Sequence, residues 1–197
     1  SPHLRSRREV ERVLALGDYD LTVLRAAIII GAGSISFQLI RQLAGRLPVM
    51  ITPKWVHTEC QPIAIRDVIG YLVGVLDRPE TAGETYEIGG PEVLTYAEIL
   101  RGTRRQLGGK LRIVPVPVLT PRLSSWWIRF VTDVDPAVAR PLIDGVKNSV
   151  VVTDTRIQDI IPRDRLSFEA AVAEALQAEP ITAETRRARA GRLLRGQ

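Results

Sequence analysis

Cysteine and histidine are nearly absent: Cys60 stands alone, and His3 and His57 are the two histidines. A single thiol cannot close an internal disulfide, so a reducing, cytoplasmic setting is the expectation. No pair stands at the H-x-x-x-H or C-x-x-C spacing that a zinc site needs, and no metal centre is expected. No histidine lies at a motif spacing from Cys60, which makes a thiol nucleophile the lesser reading of that residue. No run of eighteen apolar residues occurs, so no membrane span is expected. The basic opening, Ser1-Pro2-His3-Leu4-Arg5-Ser6-Arg7-Arg8, is followed by Glu9 and Glu11 where a secretory leader would turn apolar. Aromatic residues make up 5% of the chain, and none falls in residues 182–197. Five arginines and one glutamate there carry +4 of the +5 net charge. Without an aromatic platform for bases, that tail reads as a solvated, frayed terminal helix, and nucleic acid is not the expected partner.

What remains is a chain of 197 residues, 45% of them hydrophobic, which is enough for a packed core and for one domain or one and a half small ones. Apolar spacing marks a helix over residues 6–16, stopped at Gly17, and strands are expected over 21–24 and 49–51. Ser34 is placed to cap a helix running to about residue 47, with Ile35, Leu39, Ile40 and Leu43 on its buried face. Residues 52–58 read as irregular. A helix opening near Asp67 is expected to turn Val68, Ile69, Leu72, Val73 and Leu76 inward. A strand over 85–88 ends in Gly89-Gly90-Pro91, and Thr95 with Glu98 forms a capping box for the next helix. Residues 111–116 are a strand candidate. Two helices are expected over 121–131, which holds Trp126 and Trp127, and over 136–146. A strand over 150–152, a short helix ending by Pro162 and a helix capped by Ser167 follow. The order is mixed α/β with short strands.

Gly31-Ala32-Gly33-Ser34-Ile35-Ser36 follows a strand and opens a helix, with Ser36 where a dinucleotide fingerprint has its third glycine. A phosphate at the helix N-terminus is one reading. The next strand ends in Thr52, Pro53 and Lys54 without the ribose-binding carboxylate, which favours a plain glycine turn. Lys54 facing a 2′-phosphate would keep the first reading open.

Four segments, in order, resemble the second half of extended, atypical short-chain dehydrogenase/reductase proteins, among them NmrA-like proteins and the nucleotide-binding accessory subunit of respiratory complex I. They are Asp20-Leu21-Thr22-Val23-Leu24-Arg25-Ala26-Ala27, Gln61-Pro62-Ile63-Ala64-Ile65-Arg66-Asp67-Val68, Thr85-Tyr86-Glu87-Ile88-Gly89-Gly90-Pro91 and Leu94-Thr95-Tyr96-Ala97-Glu98-Ile99. The resemblance implies an α/β fold, the second half of a Rossmann-type doubly wound sheet with a small mixed α/β substrate lobe. Residues 1–107 would be the half-domain with substrate-lobe insertions, 108–180 a variable lobe and 181–197 the basic tail.

The same resemblance implies an NAD(P)-dependent oxidoreductase or isomerase. Where the family carries Tyr-x-x-x-Lys, this chain has His3 and Arg7, spaced to share a helix face. Histidine can relay a proton near neutral pH, whereas arginine binds by charge and keeps its protons. The cofactor's nicotinamide would lie against Arg25, Ala26, Ala27, Ile28 and Ile29, and a small-molecule substrate near Trp55, His57 and Gln61. The family's glycine fingerprint belongs to strands absent here. NAD or NADP is therefore expected in the intact protein but not on this chain by itself, and the partner is a missing N-terminal half or a second copy. The alternative is a non-catalytic sensing or assembly protein of the same fold, which the missing tyrosine and lysine favour.

Overall fold

The computed structural model describes residues 2–116, 133, 135, 141, 142 and 145–178, with side chains from Arg5 onward. Helices are α1 (Pro2–Leu14), α2 (Ile35–Arg46), α3 (Ile65–Leu76), α4 (Tyr96–Gln106), α5 (Arg156–Ile160) and α6 (Phe168–Ala178). Strands are β1 (Val23–Ala26), β2 (Ile29–Ile30), β3 (Val49–Pro53), β4 (Glu59–Cys60), β5 (Ile63–Ala64), β6 (Thr85–Ile88), β7 (Leu94–Thr95) and β8 (Arg112–Val116). β1 pairs in parallel with β6, β2 with β5, and β3 with β8, while β4 and β7 run antiparallel. Parallel pairs separated by helices are the signature of an α/β sheet.

The main core is built by α2, α4 and α6 over the strands, with Phe37, Ile99, Leu100, Phe168 and Val172 among its buried members. A second cluster joins Ile63, Val68, Tyr71, Tyr86, Ile88 and Ile157. β8 and α6, which follow residue 107, share the first core with elements that precede it. Helix starts follow local chemistry. The Ser34 hydroxyl accepts from the Phe37 amide at α2, and Thr95 and Glu98 complete their reciprocal capping box at α4. Among the described residues no helix is long and apolar enough to cross a membrane.

The structure corrects several sequence expectations. β1 starts two residues later than the expected strand, β3 runs on to Pro53, and a 3-10 turn over Lys54–His57 replaces part of the irregular stretch. In α2, Ile35 is exposed and Phe37 is fully buried, because the core meets the 37/40/44 stripe while Ile35 sits at the helix's first position. Residues 150–152 form no strand. Val150 makes a single bridge to Cys60, and the Val152 amide bonds to the Gln61 side chain in place of a neighbouring backbone. The helix expected over 121–131, with Trp126 and Trp127, lies outside the described residues, as do the tail over 182–197 and most of 136–146.

The largest difference concerns α3. Val68 is buried as expected, but Ile69, Leu72, Val73 and Leu76 are 52%, 51%, 57% and 80% exposed. The helix is apolar on two sides, and periodicity cannot tell which one meets the protein. Glycines decide it. A side chain at Gly70 would collide with Arg163, and one at Gly74 would come within 2.9 Å of Ile161. The segment after α5 therefore packs on the glycine side, and burial runs through Asp67, Val68 and Tyr71. The stripe of Ile69, Leu72, Val73 and Leu76 is left bare.

A bare apolar helix face in water favours association. Sedimentation across a concentration series is expected to show a dimer or larger species, and Leu72→Glu to shift it towards monomer. A parent chain that stays monomeric throughout would show that this face needs no cover.

Candidate functional site

Between α1, the β1–β2 connection and residues 145–152 lies a cavity of about 710 Å³, within the size range of small-molecule sites. Arg7, Arg8, Val10 and Glu11 of α1 form one wall. Arg25, Ala26, Ala27 and Ile28 form a second, and residues 149–152 with Val146 a third. Cys60 and Tyr96 lie at its floor, and Glu87 and Ile88 close the β6 side.

Each wall is held by identifiable bonds. Arg25 pairs with Glu11 at 2.6 Å and so ties α1 to β1. The guanidinium draws the Glu11 carboxyl below its usual range. Both side chains keep some solvent contact, so this pair is worth no more than about 1 kcal/mol. Glu87 accepts from the Thr153 amide at 2.6 Å, the Thr153 hydroxyl at 3.0 Å and the Asp154 amide at 3.2 Å. The Thr153 amide is the leading reason its carboxyl lies below the usual range. Burial pushes the Cys60 thiol up, against smaller opposing contacts from the Ile28 amide and the Tyr96 hydroxyl. Burial likewise raises the Tyr96 phenol. Both stay protonated at neutral pH, which leaves Cys60 a poor nucleophile.

The Gln61 crossing ties the β2, β6 and 150–152 segments together. The Gln61 amide nitrogen donates to Gly90 O at 2.7 Å, and its amide oxygen accepts from the Val152 amide at 2.9 Å. Its backbone amide donates to Val150 O at 3.0 Å. Next along, Ile63 N–H donates to Ile28 O at 2.9 Å and Gly90 N–H to Pro62 O at 3.0 Å. At Gly90 a Cβ would run into the Pro62 carbonyl, so only glycine permits this approach.

Of the sequence candidates, Arg7, Arg25, Ala26, Ala27 and Ile28 come together on this cavity. Ile29 begins β2 beside it, paired with Ile63. The His3 backbone lies in α1, and its side chain is outside the described set. Trp55, His57 and Gln61 do not line the cavity. Trp55 packs edge-on against Tyr96, with ring centroids 6.3 Å apart, and His57 is exposed at the end of its 3-10 turn. Gln61 is nine-tenths buried behind the wall. Sequence reasoning missed Glu11, Glu87 and Tyr96; their part depends on long-range pairings that no local motif announces. Among the described residues no cluster of three metal-ligating side chains occurs.

The Gly31–Ser34 turn is occupied by the protein itself. A Cβ at Gly31 would lie 2.6 Å from the Ile65 side chain, so the glycine serves helix packing. Ser34 donates to Ile29 O at 2.9 Å while accepting the Phe37 amide, which satisfies one of the free amides at the α2 N-terminus.

Two measurements check the wall. Gln61→Leu leaves the Gly90 carbonyl and the Val152 amide without partners, and urea unfolding is expected to show a loss of about 2–4 kcal/mol. An unchanged midpoint would mean that water replaces both bonds. Because its folded-state pKa is depressed, the Glu87 contribution is complete above the unfolded value near pH 4.3. It is lost as pH falls through the lower folded value. Hydrogen exchange at Thr153 and Asp154 should accelerate through that window in the parent but not in Glu87→Gln.

No family model and no curated protein matches the sequence. Solved structures do match its fold. A nucleoside-diphosphate-sugar epimerase from Staphylococcus aureus aligns with TM-score 0.61 at 14% identity, over 83% of this chain and 56% of its own. UDP-glucose 4-epimerase from Thermotoga maritima, solved with UDP-glucose, aligns with TM-score 0.55 at 13% identity, over 87% and 47%. dTDP-glucose 4,6-dehydratase from Bacillus anthracis, solved with NAD, aligns with TM-score 0.51 at 15% identity, over 79% and 43%. The chain spans about half the length of these structures, and over that span it shares their Rossmann-like α/β fold.

Proposed function

We propose that this chain is the nicotinamide-side half of an NAD(P)-dependent oxidoreductase or isomerase. The observation that carries the reading is convergence. The family resemblance puts Arg7 at the position of the family's lysine, and puts the end of β1 and the loop after it, Arg25, Ala26, Ala27 and Ile28, under the nicotinamide. α1 and β1 are separate elements, yet these residues line one cavity. Arg7 carries no ion pair among the described residues, so its charge is available to a ligand.

The residues present fit one end of the cofactor. A cavity with a free guanidinium beside a small-residue loop suits nicotinamide and its ribose. In the Gly31–Ser34 turn, Gly31 packs on Ile65 and the Ser34 hydroxyl is bonded to Ile29 O, so two of its four residues are committed to the protein in place of pyrophosphate. The chain alone is therefore proposed to bind NADH or NADPH more weakly than micromolar, with the remaining phosphate contacts coming from the part of the fold that it does not span. Isothermal titration tests this, and a clear one-to-one micromolar isotherm would mean that the turn is a phosphate site after all.

When bound, the cofactor would exchange hydride with the substrate. His3 would hold and return the proton, Arg7 would bind ribose by charge and hydrogen bonding, and the loop would orient the ring. In the protein carrying both halves, His3→Ala is expected to lower turnover by a factor on the order of a hundred. Arg7→Ala should mainly weaken cofactor binding. Parent-like turnover in both variants would remove the pair from the mechanism. The absent Tyr-x-x-x-Lys favours a second reading, a non-catalytic NAD(P)-sensing or assembly protein of this fold. A parent that turns over no nicotinamide cofactor would establish it.

A further inference from the structure

The cavity's polar groups are mostly committed to one another. Glu11 and Arg25 pair at 2.6 Å, Glu87 accepts three donors from Thr153 and Asp154, and Cys60 and Tyr96 bond together. Ser36 and Ser149 are the lining hydroxyls with no bond among the described residues. The remaining wall is apolar, with Ala27, Ile28, Val146, Val150 and Val151 facing the space. A hexose carries a hydroxyl on most of its carbons, and each one desolvated without a partner costs on the order of 1–3 kcal/mol. Two serines cannot satisfy such a ring. At the rim, Arg7 and Arg8 are both exposed, with no ion pair within 4.0 Å among the described residues, although the Arg8 charge helps Arg25 to lower the Glu11 carboxyl.

We propose that this cavity takes a compact apolar molecule bearing one anionic group. Its body lies among the valines and Ile28, and its charge meets Arg8. This rests on the reading above, in which Arg7 is engaged by the cofactor, so that Arg8 is the cation left for the substrate. The ligand class departs from the UDP-glucose held by the Thermotoga maritima epimerase. Apolar burial supplies affinity, while the guanidinium fixes orientation and rejects neutral analogues.

Two fluorescent probes of similar apolar body test the proposal. They are 1-anilinonaphthalene-8-sulfonate, which is anionic, and N-phenyl-1-naphthylamine, which is neutral. The anion is expected to saturate one site about tenfold more tightly, the scale of one charge-assisted contact. With no cofactor present to engage Arg7, Arg8→Ala should narrow that difference, Arg7→Ala with Arg8→Ala should erase it, and neither should change the neutral dye's affinity. Ser149→Trp, at an exposed edge of the cavity, and Ala27→Trp, deeper within it, should weaken both dyes. Leu72→Glu, on the bare face of α3, should change neither. UDP-glucose and inorganic phosphate should not displace the anion.

Equal affinity for both dyes, displacement by UDP-glucose or phosphate, or dye loss in Leu72→Glu without loss in Ser149→Trp would each overturn the proposal. The assay contains no nicotinamide. A failure here beside intact cofactor-linked turnover removes the ligand class alone. The expected dye pattern beside absent turnover removes the cofactor reading alone.

Discussion

The architecture around the cavity depends on one crossing of the chain, Gln61-Pro62-Ile63. In three residues it bonds to the β1–β2 connection at Ile28, to the end of β6 at Gly90, and to Val150 and Val152. These contacts are 29 to 91 residues away from Gln61 in sequence. Because the side-chain amide donates to one backbone and accepts from another, an apolar substitute of the same size would leave both unpaired in a buried place. The glycine at 90 is part of the same constraint, since any side chain there would meet the Pro62 carbonyl. The cavity's inner edge is thus set by backbone hydrogen bonds and by one amide behind the wall, with no group drawn from a substrate.

Around that edge the charges are arranged to leave little unspent. Glu11 is neutralised by Arg25, and Glu87 holds the 153–154 turn that carries the far wall. The thiol and phenol at the floor keep their protons because burial opposes charge on either. What remains for a ligand is an apolar interior and two guanidiniums at the mouth. That asymmetry connects the fold to the proposed chemistry: a cation beside a small-residue loop for nicotinamide, and a second cation one residue further along α1.

Local chemistry was legible in the sequence wherever the signal was local. The Ser34 cap, the Thr95–Glu98 capping box and β6 over Thr85–Ile88 all stand where side-chain type and alternation put them. The mixed α/β class followed from the order of short strands and helices, and the doubly wound sheet from the family resemblance. Faces were harder. α3 has apolar residues on two sides, and the choice was made by Gly70 and Gly74 admitting Arg163 and Ile161, a contact 87 or more residues away. Residues 150–152 read as a strand by composition, yet their hydrogen bonds go to a glutamine side chain and to β4. For the candidate site, the family resemblance named the β1–β2 loop and Arg7, and these residues line one cavity. Glu87, Glu11 and Tyr96 were not, because each acquires its place from a partner distant in sequence.

Arg7 and residues 25–28, the end of β1 and the loop after it, are the proposed nicotinamide end of a cofactor site. Reduced nicotinamide mononucleotide carries that end without the second phosphate and adenosine, so it can report on the cavity even where the full cofactor binds weakly. In a ¹H–¹⁵N correlation titration of this chain, the account predicts saturable shifts centred on the amides of Arg7, Ala26, Ala27 and Ile28, with Arg7→Ala weakening them. Shifts confined to Ala32, Gly33 and Ser34, or no shifts at millimolar ligand, would contradict it.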